Sequence, residues 1–203
     1  MTSVAGTPIP GVITSEADPF RARLFRGLVA SINERDYRET TVADIVRHAK
    51  TSKRTFYAHF ASKDDCLLEL LDDDNIRTIA AIRAAVDPEA DWRTQIAQAI
   101  DAYVSAIEAH PAITLAWIRE FPALGQAARP VQRRGMGRFI DLLIDITSGP
   151  GFRNAGLPTV PRQTALILLG GLRELTAHTM EDGEEIRGIT EAAVHACMGL
   201  ISR

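Results

Sequence analysis

Between Thr40 and Lys63 the cations are Arg47, Lys50, Lys53, Arg54 and Lys63, and the only acid is Asp44. The whole chain carries a formal net charge of -3, so this stretch is a local cationic patch on an acidic protein. Tyr57 and His59 add donors of the kind that bind phosphate oxygens without reading sequence. Ser52, Arg54 and Thr55 fall at the start of a predicted helix, the end that reaches base edges when such a helix enters the major groove. Lys63 opens a further helix, beside backbone N–H groups that already attract anions. Together with Thr41, Lys50, Thr51 and Lys53, these residues form a candidate surface for double-stranded DNA.

The segments that must position them are short and well signalled. Thr41 is placed to cap a first helix, with Asp44 as its capping-box partner. Val42, Ile45, Val46 and Ala49 recur at helical spacing and make one apolar face. Lys50-Thr51 is a turn, Ser52 caps a second helix running to about His59, and Phe56 and Phe60 point inward one turn apart. Ser62 caps a third helix, with Asp65 placed to complete another box. Two helices joined by so tight a turn give the helix-turn-helix layout. A generic helical core explains Phe56 and Phe60, but not the sign asymmetry or three capped helices in so short a span.

The segment TTVADIVRHAKTSKRTFYAHFASKDDCLLEL resembles the DNA-binding domain of the tetracycline-repressor (TetR) family of transcriptional regulators. The positions carrying the resemblance are Thr41-Val42, Ser52, Phe56-Tyr57-Ala58-His59-Phe60 and Lys63, within roughly residues 18 to 71. One departure stands out. The family usually has Gly in the turn, where a left-handed backbone costs little, and this chain has Lys50. A side chain there costs on the order of 1 kcal/mol and adds a cation. The resemblance implies an all-α fold, with an N-terminal three-helix domain and a C-terminal helical domain for ligand binding and dimerisation. It also implies a homodimer on a palindromic operator.

Composition bounds the alternatives. The chain has 203 residues, 46% hydrophobic and 24% charged, enough for one sizeable core or two small ones. Cys66 and Cys197 stand far apart and suggest a reducing compartment without a disulfide framework. No apolar run reaches membrane-spanning length, so a cytoplasmic protein is expected. His48, His59, His110, His178 and His195 form no H-x-x-x-H pair, and His195 with Cys197 is not a zinc site. Gly149-Pro150-Gly151 and Gly170-Gly171 lack the strand-turn-helix context of a phosphate loop. An enzyme is therefore a remote alternative, and neither a metal nor a cofactor is expected.

Taken in order, residues 1–17 read as a disordered arm, 18–71 as the DNA-binding domain and 72–203 as the regulatory and dimerisation domain. Asp18-Pro19 starts a helix ending near Arg35, on which Arg21, Arg23 and Arg26 are expected in solvent, with an approach of one or two of them to the DNA backbone as the alternative. A long helix follows Lys63 to about Val86, with Asp72-Asp73-Asp74 as a solvated face. Helices are expected over 92–109, from 111 to Glu120, from about 124 to 147, over 162–180 and over 184–201. Ser148 to Pro161, rich in Gly and Pro, is expected to be a mobile loop. A ligand site is expected among Trp92, Tyr103, Trp117, Phe121, Met136 and Phe139, with His110, Arg173 or His178 as polar contacts. Gly170, Gly171, Ala192, Ala193, Ala196 and Gly199 let the last two helices approach a partner closely. The expected function is a homodimeric repressor released from its operator by a small, mainly apolar effector. The alternative is a DNA-binding regulator, activator or repressor, controlled by a protein partner or by no ligand.

Overall fold

The computed structural model describes residues 18–202, all helix, turn and loop, with no strand among them. The expected arm, residues 1–17, lies outside the described residues. Asp18 accepts hydrogen bonds from the backbone of Phe20 and Arg21, and Pro19 opens α1 (Pro19–Arg35). Thr41 and Asp44 close a reciprocal capping box on α2 (Val42–His48). Ser52 caps α3 (Lys53–His59) through the Thr55 N–H. The Ser62 hydroxyl accepts from the Asp65 N–H at the start of α4 (Lys63–Ala85).

The chain divides into two compact units at Leu67/Leu68. In the first, Leu24, Phe25, Leu28, Ile45, Phe56 and Leu67 are fully buried. Gly27 is required where α1 meets α2: a Cβ there would lie 2.5 Å from the Ile45 carbonyl oxygen. The two backbones touch, and no side chain fits between them.

The second unit comprises the rest of α4 with α5 (Trp92–Ala109), α6 (Pro111–Arg119), a 3-10 stretch Phe121–Ala127, α7 (Ala128–Thr147), α8 (Pro150–Asn154) and α9 (Arg162–Glu181). A 3-10 turn, Ile186–Ile189, leads into α10 (Thr190–Ile201). Ile96, Ile100, Val104 and Ile107 on α5 meet Ile140, Leu168 and Ala193 in its core.

Three expected segments differ. The helix expected over 184–201 starts as the 3-10 turn Ile186–Ile189 and is α-helical only from Thr190. The helix expected from about residue 124 begins at Ala128, because Gly125 sits at φ 58° and interrupts the 3-10 stretch before it. Pro130 falls within the first turn of α7, where its missing N–H has no partner to lose. The expected mobile loop after Ser148 instead contains α8, whose Phe152 is completely buried against Trp92, ring centroids 6.1 Å apart. At Gly151 a Cβ would come within 2.2 Å of the Ala90 carbonyl oxygen, so this glycine marks close docking rather than freedom.

Candidate nucleic-acid interface and a helical cavity

The turn between α2 and α3 adopts the left-handed conformation at Lys50, φ 50°, although that residue has a Cβ. It is held from outside. Arg23 on α1 donates through Nε and Nη2 to the Ala49 carbonyl, at 3.1 and 2.8 Å, and through Nη2 to the Lys50 carbonyl. Arg23 was expected in solvent; it is a brace on the turn. With Arg26, His48, Ala49 and Lys50 it lines a basic cleft. No local sequence signal gives this contact, which spans 26 residues.

On α3 the inner face holds Phe56, fully buried, and the outer face presents Lys53, Arg54 and Tyr57, all exposed. Tyr57 is 58% exposed, its ring edge-on to Phe56 and its outer side open to solvent. Thr51 is half-buried in the turn. Ser52 and Thr55 share a hydroxyl contact of 3.0 Å as well as the cap, which fixes the helix start and leaves Arg54 beside it facing outward.

Three expected contacts change role. Thr41 Oγ1 donates to Asp44 at 2.6 Å, and the Thr41 hydroxyl and N–H hold the Asp44 carboxyl down to about 2. The threonine is thus occupied as a cap. His59 Nδ1 pairs with Asp18 at 3.1 Å and stacks near Phe20, tying the end of α3 to the start of α1. Lys63, expected at phosphate, donates from Nζ to the carbonyls of Tyr37 and Thr40, each at 2.8 Å, with Arg38 at 3.4 Å. Its ammonium also lies 4.2 Å from the Tyr37 ring centroid. An ion so held gathers three loop carbonyls, of which that of Tyr37 also accepts the Thr40 N–H, and acts as a structural tie. Arg47 is engaged too, with Glu34 at 2.8 Å.

The second unit encloses a cavity of about 220 Å³, lined by Tyr103, Trp117, Phe121, Met136, Phe139 and Arg173 among others. Six of the nine expected ligand residues therefore share one space, drawn from α5, α6, the 3-10 stretch, α7 and α9. Arg173 lies over the Trp117 ring, 5.5 Å from its centroid. The other three do not line it. Trp92 is buried in the core beside Phe152. His178 is exposed on the outside of α9. His110 is half-buried at the α5–α6 break, where burial and then the charge of Arg77 push its imidazole pKa down.

The acidic run is also not the solvated face expected. Asp72 is held by Arg138 at 2.7 Å, and Asp73 and Asp74 share Arg77 at 3.1 and 3.3 Å. Burial raises the Asp74 carboxyl to about 6, the Arg77 charge opposing and the Asp73 charge reinforcing that shift. Asp72, Asp74 and Asn75 all line the cavity. Periodicity gave no sign of them, because three consecutive acids ordinarily mark solvent.

Of the small residues on the last two helices, Gly171, Ala192, Ala196 and Gly199 are exposed and Gly170 is half-buried. Ala193, expected with them, belongs to the core at 4% exposure. Beside the exposed group stand Leu166, Ile167, Leu175 and Leu200, each between 36% and 65% exposed. On α9, Ile167, Gly171 and Leu175 follow one another at four-residue steps; Ala192, Ala196 and Leu200 do so on α10, each set making one stripe.

Among the described residues no helix is long and apolar enough to cross a membrane, and no cluster of three metal-ligating side chains occurs. Residues 25–70 match the model of the bacterial regulatory proteins of the tetR family. The HTH-type transcriptional regulator EthR of Mycobacterium tuberculosis is 28% identical over 167 residues, covering 76% of this chain and 72% of its own. In fold, the fatty acid degradation regulator FadR from Bacillus halodurans superposes with a TM-score of 0.71 at 19% identity, covering 91% of this chain and 95% of its own. The transcriptional regulator FadR from Bacillus subtilis, in complex with stearoyl-CoA, superposes at 0.72 and 17% identity, covering 89% and 97%. These relatives are transcriptional regulators and not enzymes. Capped helix-turn-helix, regulator homologue and all-helical architecture agree: residues 25–70 carry the DNA-binding domain of the tetR family, and the chain is similar to transcriptional regulators of that family.

Proposed function

We propose that the chain is a homodimeric repressor of a palindromic operator, acting in the cytoplasm and released by a small, mainly apolar effector bound in the second unit. The cavity carries this reading. Trp117 and Phe121, one turn apart, line it with Tyr103, Met136 and Phe139, and large aromatics each bury some 150–250 Å² against an occupant. To turn a mostly DNA-competent dimer into a mostly incompetent one, an effector must prefer the second form by about 5 kcal/mol. A few such contacts are of the right size. The reading also takes 18–71 as the DNA-binding domain and 72–203 as the regulatory and dimerisation domain, with Lys50, Lys53, Arg54 and Tyr57 as the main DNA contacts. Stearoyl-CoA in the Bacillus subtilis FadR complex is a precedent for a long apolar ligand on this architecture.

The dimer surface supports the same reading. The apolar stripes of α9 and α10, Ile167-Gly171-Leu175 and Ala192-Ala196-Leu200, have no occupant among the described residues and suit a second copy. Selection from random DNA should recover a palindrome with half-sites about one helical turn apart, or a multiple of it. Ile167→Glu places a charge on a residue 65% exposed, so the protomer folds unchanged. It should sediment as a monomer and bind the selected palindrome at least about 100-fold more weakly, because one half-site contact is lost and a buried charge costs several kcal/mol. A wild-type protein that remains monomeric at micromolar concentration and still binds the palindrome tightly would overturn the reading.

A further inference from the structure

Gly27 lets α1 and α2 touch, so its neighbours on α1 stand over the turn that leads into α3. Arg26 is the one exposed position between Leu24 and Val29, in a run otherwise buried. It shares a cleft with Arg23, His48, Ala49 and Lys50, and no acid lines that cleft. The four ionisable groups differ in how far they are committed. Arg23 uses Nε and Nη2 on the Ala49 and Lys50 carbonyls, and its Nη1 has no hydrogen bond among the described residues. His48 Nε2 faces Glu34 at 2.9 Å. Arg26 and Lys50, both exposed, make no hydrogen bond or ion pair among the described residues. Cations gathered without an acid repel one another, and Lys50 holds a left-handed backbone in the same place. Nothing in the packing of this unit uses that gathering. An anion between the two side chains turns the repulsion into attraction.

We propose that Arg26 and Lys50 hold one backbone phosphate of the operator between them, which makes α1 part of the DNA interface and not only a support for α2 and α3. This rests on the DNA-binding reading above and adds a residue to it. The occupant follows from position. Thr51 and Ser52 come directly after Lys50 and open α3, so a duplex that meets Lys53, Arg54 and Tyr57 runs its backbone past the turn. A phosphodiester presents two charged oxygens; a guanidinium and an ammonium can each take one. Arg23, fixed by the carbonyls it braces, adds its positive field from behind. Such a contact sets the register of the protein on the duplex and reads no base. Arg26 and Lys63 thus exchange the roles that spacing alone suggests: Lys63 is tied to loop carbonyls, and Arg26 faces the phosphate.

The test measures binding of the full chain to its selected palindrome and to an unrelated duplex of equal length, from about 50 to about 200 mM salt. Arg26→Ala removes an exposed side chain without a partner, so the variant folds as the wild type does. Both duplexes should bind more weakly by the same factor, and the log-log salt slope should fall by about one unit per protomer. Arg26→Lys, which keeps the charge, should restore the slope. Ethylation of single phosphates locates the contact. One phosphate per half-site, whose ethylation blocks wild-type binding, should cease to matter in Arg26→Ala and in Lys50→Ala alike. An unaltered slope, a changed sequence preference, an unchanged ethylation pattern, or two variants that silence different phosphates overturns the proposal while the DNA-binding reading stands. A wild-type chain that binds neither duplex ends both.

Discussion

The residues before Leu67 and those after Leu68 treat their polar groups in opposite ways. In the first unit, cations are turned inward onto loop carbonyls: Arg23 onto Ala49 and Lys50, Lys63 onto Tyr37 and Thr40. Caps absorb Thr41, Asp44 and Ser52. In the second unit lie both buried side-chain atoms that lack a hydrogen bond among the described residues, Asn75 Oδ1 and Thr190 Oγ1, together with the cavity and Asp74, whose charge burial disfavours. A unit whose caps and loop carbonyls are committed in this way is held in one arrangement. A unit with a cavity has a free-energy gain in reserve for whatever fills it. Under the proposed function, the difference separates the unit that reads DNA from the unit that responds to an effector.

The largest expected effect comes from breaking the first unit's commitments. Lys63→Met keeps the side-chain length and removes the ammonium, so the Thr40 carbonyl loses its donor and the Tyr37 carbonyl keeps only the Thr40 N–H. A loss of about 2–3 kcal/mol in urea unfolding is expected, the scale for charge-assisted bonds inside a protein. The salt dependence of operator binding by the folded variant should be unaltered. A slope flattened by about one log-log unit would instead return Lys63 to the phosphate backbone.

Next in size is a gain in the second unit. Asp74 titrates at about 6 in the folded protein against an ordinary 3.8. Its folded pKa is raised, so the folded form holds the proton more tightly and the charged acid costs stability above pH 6. That cost fades as pH falls towards 4. Asp74→Asn should therefore be more stable than wild type at pH 7, by on the order of 1–2 kcal/mol once partial exposure is allowed for. The advantage should close between pH 6 and 4. A variant less stable than wild type at pH 7 would mean that the ion pair with Arg77 outweighs desolvation.

The smallest concerns Lys50. Lys50→Gly relieves a left-handed residue of its Cβ, worth roughly 1–2 kcal/mol, but frees the unfolded chain by about 0.4–1 kcal/mol. A net stabilisation of a few tenths to about 1 kcal/mol is expected, seen as a small rise in melting temperature. DNA affinity should fall nonetheless, since a cation is lost from the proposed surface. No change in stability would show that the Arg23 brace already offsets the strain.

How far the sequence could be read follows from the range of the interactions. The caps at Thr41, Ser52 and Ser62 act over three residues, so the turn and the helix after it could be found from local spacing, while the departure at Lys50 followed from the family resemblance. Helix periodicity likewise set α5 and α9 within a residue or so of their observed ends. The brace from Arg23 and the tie from Lys63 join residues more than 20 positions apart and leave no periodic trace. The same holds for the cavity: aromatic spacing found Trp117 and Phe121, but could not separate Trp92, which packs on Phe152, from true lining residues. Asp74 was misread because acids in a run are usually wet, and only the packed helices around it show that this one is not.

The recognition helix carries a consequence for how such a regulator changes over generations. Phe56 is packed inside, Ser52 and Thr55 are committed to the cap, and of the outward positions Lys53 and Arg54 support no other part of the fold, while the Tyr57 ring meets Phe56 edge-on. Under the proposed reading, the side chains that shape α3 and the side chains that address DNA overlap only at Tyr57. Drift at Lys53 and Arg54 re-directs the protein to a different operator without a folding intermediate of low fitness. Duplicated copies can then diverge in target one substitution at a time, each step leaving a well-formed protein.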